Sequence, residues 1–290
     1  MKDVSVLTAT PEAQQTFERA NNKVPSGLAQ CGVQAEFEFQ NYLRSTRFYI
    51  LLAIMATIGI AIMAVIYVYK PSTSVSSPVA FYSAWWGSVV NLCVILTGIF
   101  FGADAISTEF QNRTGYYLLP NPVRRSSIYI GKWIASFLAS AIAISVYAAI
   151  TVADGAIYFG ANIPYQFGES FVLALFYIVP ILGVSFFLSS IFKNNSYSIL
   201  LTAILLLFGF NVITPLITTL SNSEPWYVLT YGAGIIANVL SPSGYPSHKV
   251  VIGGSTLYNP TIPEGLAIML VYFVITTIFG LILFEKNDFN

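Results

Sequence analysis

Three neighbouring side chains in one polar segment have the types and spacing needed to contact a protein partner. The segment covers residues 103–132 and separates two long apolar runs. Within it, Ile106, Phe110 and Arg113 recur at helical spacing, so a short amphipathic helix would place them on one face. Phe110 would then be an aromatic knob flanked by the charges of Glu109 and Arg113. An ordinary solvated loop, whose basic residues retain the topology, is the alternative.

The same segment contains the breaks that would keep this helix short. We expect the helix over Ala105–Thr114, where Gly115 ends it and two later prolines prevent its continuation. Ser126 or Ser127 can cap the helix that becomes the next apolar run. The short helix, the turn after it and the next helix would form a rigid connection between the solvent-exposed segment and the membrane.

Several other chemistries lack the residues they need. No GxxxxGK[ST] phosphate loop occurs, because Gly131-Lys132 is followed by Trp133. We therefore expect no ATP site in this chain. The single histidine, His248, lies in a loop rich in Gly, Pro and Ser, which disfavours a catalytic triad or a metal cluster. The formal net charge is zero, so nothing indicates a nucleic-acid partner.

The composition predicts an all-α, polytopic membrane protein. Of the 290 residues, 56% are hydrophobic and 9% charged, and mean hydropathy is +0.70, whereas soluble domains carry about 25% charge. Six apolar runs are long enough to cross about 30 Å of hydrocarbon as helices. We place these spans at Phe48–Tyr69, Ala80–Gly102, Ile130–Val152, Phe171–Phe192, Ser196–Leu220 and Gly265–Phe284.

Basic residues beside the spans predict the orientation. If the six spans cross the membrane in alternating directions, Lys70 and Lys249 lie on one side of it. The other Lys and Arg residues lie on the opposite side. Positive charge favours the cytoplasmic side, so both termini and segment 103–132 should be cytoplasmic. We expect Lys132, at the start of the third span, to snorkel toward the water.

The chain before the first span should contain an amphipathic helix. Phe37, Tyr42 and Leu43 alternate with charged residues, which predicts a helix lying in the lipid headgroup region; a solvated linker is the alternative. The resulting divisions are a polar cytosolic tail over 1–33, this helix over 34–47, the six-span domain over 48–284 and a cytosolic C-terminus over 285–290.

The longest connection on the outer side covers residues 221–264. Its apolar stretch Tyr227–Leu240 is too short to span, which predicts a re-entrant or interfacial helix. The loop would be either a lid over an exit path or a packed cover for the span ends. We favour the packed cover, because nothing in the loop's chemistry indicates a ligand.

The span interiors offer amides and no charges. Ion-coupled carriers usually need ionisable groups inside their spans, yet Asp154 falls in the predicted outer connection 153–170 and other acidic residues lie near span ends. Asn91 lies near the middle of the second span and Asn211 within the fifth. Each could bond to a neighbouring helix, the more frequent role, or line a cavity.

A series of residues runs through the polar segment in a fixed order. It comprises Glu109, Thr114, Leu118-Leu119, Pro122, Arg124 or Arg125, and Gly131-Lys132. In this order and position the series resembles the permease subunits of type-two ABC exporters, which carry Glu, Gly-Thr, Leu-Leu, Pro, Arg and Gly-Lys between their second and third spans. Arg113 departs from that pattern, since Gly usually precedes the threonine. The approach to the first span, the six-span layout and the enlarged last outer loop are also similar to the family.

The resemblance implies a transport subunit without a cofactor or enzymatic activity of its own. Two such permeases, identical or different, would pair among the membrane lipids of a prokaryotic plasma membrane, and each would dock on a cytosolic ABC-type ATPase that binds ATP and Mg. Movement of the coupling helix would change the exposure of a cavity between the second and fifth spans. The coupling contacts would be Glu109, Phe110, Arg113 and Thr114, and the cavity residues Asn91 and Asn211.

Two other classes of function remain open alongside an ATP-driven exporter. An ion-coupled secondary carrier or a channel would need coupling groups that the sequence does not show, and a membrane scaffold would need none. The substrate is not indicated, although spans with few polar groups favour an amphiphile.

Overall fold

The computed structural model describes residues 26–69, 76–111, 124–221, 223–252 and 255–286. Helix accounts for 81% of the structure, which confirms the predicted all-α class. Several residues of the predicted coupling segment, including two of the coupling contacts, lie outside the described ranges: Arg113, Thr114, Leu118, Leu119 and Pro122.

The described elements follow one another in the order of the chain. They are α1 (Gly27–Arg44), α2 (Thr46–Tyr69), α3 (Pro78–Phe101, with a π segment at Ser83–Gly87), α4 (Ser107–Gln111), α5 (Arg125–Phe159), α6 (Tyr165–Ile191), α7 (Asn195–Ala203, a π segment Ile204–Gly209, and Phe210–Ser221), α8 (Leu229–Ala233), α9 (Ile235–Asn238), β1 (Lys249–Ile252), β2 (Ser255–Tyr258) and α10 (Ile262–Lys286).

Six of these helices are long and apolar enough to cross a membrane, and they confirm the six predicted spans. They are α2, α3, α5, α6, α7 and α10. In the most apolar stretches of α3, α5 and α6, 50%, 50% and 61% of the residues are buried, against 22%, 11% and 17% in α2, α7 and α10. The helices α3, α5 and α6 therefore form the interior of the bundle, and α2, α7 and α10 lie at its perimeter. The side on which the termini lie stays a prediction.

An aromatic and hydroxyl network joins the interior helices. Trp86 of α3 stacks on Tyr147 of α5, with 5.6 Å between ring centroids. The indole Nε1 donates a hydrogen bond to Ser170 Oγ of α6 at 2.9 Å. Ser170 in turn donates to the backbone oxygen of Ile236 in α9 at 2.6 Å. The indole of Trp86 and the hydroxyl of Ser170 are thus each satisfied by the next element, and these contacts join four helices.

The third span is longer than predicted at its far end. α5 has 35 residues and is about 50 Å long. The next residue, Gly160, caps its end, and its φ of 63° is in the left-handed region that favours glycine. The prediction that Asp154 lies in a loop is therefore wrong. Asp154 is buried within α5, and its Oδ2 has no hydrogen-bond partner among the described residues.

The helix before the first span forms, and it begins at Gly27, before the predicted start at Gln34. α1 packs along the first turns of α5. Gln30 Oε1 accepts a hydrogen bond from the backbone N–H of Arg124 at 3.2 Å, so a side chain of α1 satisfies the start of α5. The predicted serine cap of α5 is wrong, because Arg124 occupies the cap position and makes no side-chain cap bond. The headgroup position of α1 stays a prediction.

The last loop is packed against the ends of the spans. The predicted re-entrant stretch consists of the short helices α8 and α9, in which Leu229, Ile235 and Ile236 are buried. α8 packs on α10, and α9 packs on α6. The antiparallel hairpin β1–β2 follows, with Lys249 opposite Tyr258. Within the described loop this packing agrees with the cover that we favoured.

Candidate functional site

A short helix, α4, is present at the position predicted for the coupling helix, and its described part covers Ser107–Gln111. It follows a turn after α3 and begins at Ser107, two residues after the predicted start at Ala105, and the rest of the predicted helix, to Thr114, lies outside the described ranges. Glu109 and Phe110 are both half-buried. Their surroundings therefore decide how α4 is held.

A buried lysine holds α4 to two other helices. Lys132 Nζ of α5 lies 2.8 Å from Glu109 Oε1 of α4 and 2.7 Å from Glu38 Oε1 of α1. The exposed fractions of the three side chains are 7% for Lys132, 14% for Glu38 and 13% for Glu109. The expectation that Lys132 snorkels toward water is wrong, because two carboxylates solvate its ammonium group inside the protein.

A glycine brings α1 close enough to complete this contact. A Cβ atom at Gly131 would lie 2.7 Å from Cβ of Gln34 and 3.0 Å from the backbone oxygen of Cys31. Only a residue without a side chain allows the two helices to approach this closely. Gln34 Nε2 then donates a hydrogen bond to Glu38 Oε1 at 3.1 Å, which orients the carboxylate toward Lys132.

A second ion pair fixes the turn that precedes α4. The guanidinium group of Arg47 in α2 pairs with Asp104, whose side chain is 9% exposed. Asn195 of α7 donates a hydrogen bond from Nδ2 to the same carboxylate oxygen at 3.4 Å. Ser107 Oγ donates to Asn195 Oδ1 at 2.9 Å. The turn is thus attached to the first and the fifth span.

Hydroxyl groups satisfy the backbone of this turn. Ser189 Oγ of α6 accepts hydrogen bonds from the N–H groups of Ile106 and Ser107, at 3.0 and 2.9 Å. Ser198 Oγ of α7 donates to the backbone oxygen of Ala103. A loop buried this deeply needs such partners, because an unpaired backbone group costs about as much as a lost hydrogen bond.

A tyrosine of α1 reaches the end of α3 in the same junction. The Tyr42 hydroxyl donates to the backbone oxygen of Phe101 at 3.1 Å, and Ser136 Oγ of α5 donates to the same atom at 3.0 Å. Burial raises the pKa of Tyr42 to about 12, against the opposing effect of Lys132. Tyr42 therefore remains a neutral hydrogen-bond donor at physiological pH.

The aromatic side chain of α4 contacts the last span. Phe110 meets Phe284 of α10 edge-to-face, with 6.0 Å between ring centroids. Tyr129 of α5 contacts the other side of Phe284, at 6.1 Å. In this chain by itself, Phe110 therefore packs inward as part of a contact between α4, α5 and α10. Its role in docking a partner stays a prediction, as does that of Glu109.

The residues described so far form one junction, which we call the α4 junction: Glu38, Tyr42, Arg47, Asp104, Ser107, Glu109, Phe110, Lys132, Ser189, Asn195 and Phe284. It connects a short polar helix to α1 and to the spans α2, α5, α6, α7 and α10, and Tyr42 attaches α1 to the end of the remaining span, α3. A family model, described as ABC-2 family transporter protein, matches residues 34–289 and so covers this junction and all six spans. The chain belongs to the ABC-2 transporter family.

As an ABC-2 family member, the chain is a multi-pass membrane protein and the permease of an ABC transporter. The family and the helical fold indicate a transport subunit. A comparison with curated proteins gives no match.

The two amides predicted to line a cavity have different surroundings in this ABC-2 permease. Asn91 of α3 is half-buried, and its Oδ1 is buried without a hydrogen-bond partner in the described part of the chain. Asn211 of α7 is exposed at the perimeter, where its Nδ2 donates to the backbone oxygens of Leu206 and Leu207 at 3.3 and 3.0 Å. Asn211 thus satisfies carbonyl groups of its own helix beside the π segment.

Proposed function

We propose that this permease is an exporter subunit driven by a separate cytosolic ABC-type ATPase, which docks at α4. ATP and Mg bind to that ATPase, and this chain holds no cofactor. The observation that carries the proposal is the buried contact of Lys132 with Glu38 and Glu109. It attaches the short polar helix to long helices, so that a push on α4 reaches the spans.

The strength of this attachment follows from its burial. Breaking a buried ion pair by removing one partner costs about 3–5 kcal/mol, because the remaining charge is left uncompensated. A displacement of α4 that kept α5 and α1 in place would lose this contact. We therefore expect α1, α4 and the start of α5 to move together when the ATPase closes.

The four coupling residues then divide into two roles. Glu109 and Phe110 hold α4 through Lys132 and Phe284. Arg113 and Thr114 follow the described part of α4 and supply the contact with the ATPase. A change at Glu109 or Phe110 alters the position of the docking surface, and a change at Arg113 or Thr114 alters the surface itself.

A second permease, identical or different, covers part of the perimeter. α7 is the least buried span, and apolar side chains such as Leu200, Ile204 and Phe208 are exposed along it. We place the partner permease along α7 and lipid along the remaining perimeter. Asn211 then faces the space between the two permeases, and Asn91 lines the path from the side of α3.

α1 lies at the inner surface of a prokaryotic plasma membrane in this arrangement. Val33 and Phe37, one helical turn apart, are 69% and 61% exposed, while Gln34 and Glu38 face α5. An apolar edge beside a polar junction suits the lipid headgroup region. With both termini on this side, α4 lies in the cytosol where an ATPase can reach it.

An ion-coupled carrier is the second candidate, and Asp154 is the observation that favours it. A buried carboxyl group inside a span is a common proton or cation site in carriers. Asp154 lies near one end of α5, only five residues before its last residue, Phe159. It is therefore poorly placed to alternate between the two sides, and the ATP-driven mechanism is preferred.

The decisive experiment pairs the permease with a P-loop ATPase, which we expect to be encoded nearby. The two should copurify, and the complex in lipid nanodiscs should hydrolyse ATP. Phe110→Ala and Glu109→Lys should leave membrane insertion intact and abolish the permease-dependent ATPase activity and substrate efflux. Tyr165→Ala and Glu169→Lys are the matched controls, because both residues are exposed at the opposite end of the bundle.

Two results would overturn the proposal. Unchanged efflux in both α4 variants would remove the coupling role of α4. Full activity of the permease alone in liposomes, driven by an ion gradient and lost in Asp154→Asn, would establish the carrier instead.

A further inference from the structure

Three potential metal ligands meet at the end of the bundle opposite the α4 junction. Glu224 follows α7, His248 precedes β1, and Glu264 lies in the first turn of α10. One ligand atom of each residue lies within 4.8 Å of the others. Glu264 and Phe284, which contacts α4, lie about 30 Å apart along α10 at 1.5 Å per residue. This cluster therefore belongs to no part of the coupling machinery.

A hydrogen bond of His248 determines which of its ring nitrogens could bind a metal ion. Nδ1 lies 2.9 Å from the backbone oxygen of Asn259. A carbonyl oxygen can only accept, so Nδ1 must carry the proton. In a neutral imidazole the lone pair is then on Nε2. A ligating histidine commonly has this arrangement, in which the second ring nitrogen donates to a backbone carbonyl.

Nε2 faces a carboxylate. Nε2 lies 3.3 Å from Oε2 of Glu224, and Nδ1 lies 3.9 Å from Oε2 of Glu264. At this distance a cation must lie between the two atoms, and either a proton on Nε2 or a metal ion can occupy that position. Two ligands bound to one zinc ion at about 2.0–2.2 Å in a tetrahedral arrangement are separated by roughly this distance.

Outer groups hold both carboxylates in place. The hydroxyl of Tyr231 donates to Oε1 of Glu224 at 2.7 Å. The backbone N–H of Thr261 donates to Oε2 of Glu264 at 3.2 Å. Groups outside the cluster therefore hold both carboxylates in fixed orientations.

We propose that Glu224, His248 and Glu264 bind a divalent transition-metal ion, with Zn²⁺ as the best fit. Zinc accepts both imidazole nitrogen and carboxylate oxygen as ligands, and three protein ligands leave its fourth position open. Mg²⁺ and Ca²⁺ prefer oxygen ligands alone and would leave the histidine unused. The three side chains are partly exposed, so an ion can enter from the solvent.

The position of the ligands gives the ion a structural effect. It would connect the segment after α7, the base of the hairpin and the start of α10. Glu264 also lines an apolar cleft of about 450 Å³, together with Trp226, Tyr227 and Tyr272. A bound ion would therefore fix the last loop beside this cleft.

The test uses the purified full-length permease in detergent with Cys31→Ser, which removes the more accessible thiol while Cys93 stays buried. The protein is stripped with EDTA, desalted and titrated with Zn²⁺ by calorimetry and by thermal unfolding. We expect one ion per chain and a rise in the midpoint of unfolding. His248→Ala, Glu224→Gln and Glu264→Gln should each abolish saturable binding. Tyr231→Phe should weaken binding by about tenfold, because it removes an outer-shell hydrogen bond.

Glu169→Gln is the matched control, since it removes an exposed carboxylate near the same end and should leave the affinity unchanged. Should the ligand variants fail to fold, Co²⁺ titrated into the unsubstituted ligand set must give visible absorption bands of a four- or five-coordinate site. The proposal is overturned if Zn²⁺ does not bind, if Ca²⁺ binds as tightly as Zn²⁺, or if folded ligand variants keep the parent affinity. Because α4 is untouched, ATPase coupling can fail while Zn²⁺ binding is retained.

Discussion

The ammonium group of Lys132 lies 2.8 Å from Oε1 of Glu109, which attaches the third span to the short helix α4. Glu38 of α1 contacts the same ammonium group at 2.7 Å. One buried cation is thus shared by three segments that are far apart in the sequence. Any account of how α4 moves must include the partners of this lysine.

Removal of the shared cation should strongly destabilise the junction. Lys132→Met leaves two carboxylates close together with 14% and 13% of their side chains exposed. We expect a loss of about 3–5 kcal/mol in the free energy of unfolding, the usual cost of an uncompensated buried charge. Thermal unfolding can be followed by dye labelling of Cys93 in a Cys31→Ser background, since Cys93 is buried in the native state.

Two variants of α1, one as a test and one as its control, examine the same ion pair. Glu38→Gln should lower the unfolding midpoint, because it removes one partner of Lys132. Glu36→Gln, two residues away and exposed, should leave it unchanged. Equal midpoints for Lys132→Met and its parent would show that the ion pair does not stabilise the junction.

The close approach of α1 to α5 depends on Gly131. In Gly131→Ala the new methyl group would meet Gln34 and the backbone of Cys31, so α1 should move away from α5. The backbone contact cannot yield by a change of rotamer. We expect faster labelling of Cys31 by a thiol reagent in a Cys93→Ala background, together with a lower unfolding midpoint.

Gly32→Ala is the control for this close contact, since no atom lies within 4 Å of its Cβ position. It should be neutral or stabilise α1 by up to about 1 kcal/mol through helix propensity. If both alanine variants label Cys31 at the parent rate, the two helices do not need the glycine.

The spans could be predicted from the sequence because bilayer thickness sets a minimum length for each apolar run. The predicted spans ending at Phe192 and beginning at Ser196 leave only a short connection, and in the structure Asn194 caps α7 by accepting a hydrogen bond from the N–H of Ser196 at 2.9 Å. The far end of α5 was missed because residues 153–159 contain a charge. Gly160 was the available signal for that end, since glycine commonly terminates a helix in the left-handed region.

No pattern in the sequence indicated the ion pairs of the α4 junction. Glu38 and Lys132 lie on different helices, and hydrophobic periodicity does not indicate which polar residues meet across helices. The hairpin β1–β2 could have been found, because β-branched residues flank Gly253-Gly254 in the sequence. The cluster around His248 depends on that hairpin, so the sequence alone made a histidine site look improbable.

The contact between Phe110 and Phe284 should transmit force as well as stabilise. Phe284→Ala removes the ring that α4 packs against, so it should reduce ATPase activity of the copurified complex as strongly as Phe110→Ala. Phe279→Ala is the control, because this residue of α10 is exposed and should have little effect. Normal coupling in Phe284→Ala would limit the role of Phe110 to docking.

The unpaired amide of α3 offers a test that separates function from stability. Oδ1 of Asn91 is buried without a partner in the described part of the protein, and an unsatisfied buried acceptor costs about 1–3 kcal/mol. Asn91→Leu should therefore keep or raise the unfolding midpoint, while it lowers substrate-stimulated ATPase activity of the complex. Asn211→Leu should instead lower the midpoint by the loss of two hydrogen bonds to its own helix, about 1 kcal/mol each. A folded Asn91→Leu permease with unchanged activity would show that Asn91 does not line the transport path, and destabilisation of that variant would point to a structural partner for its amide.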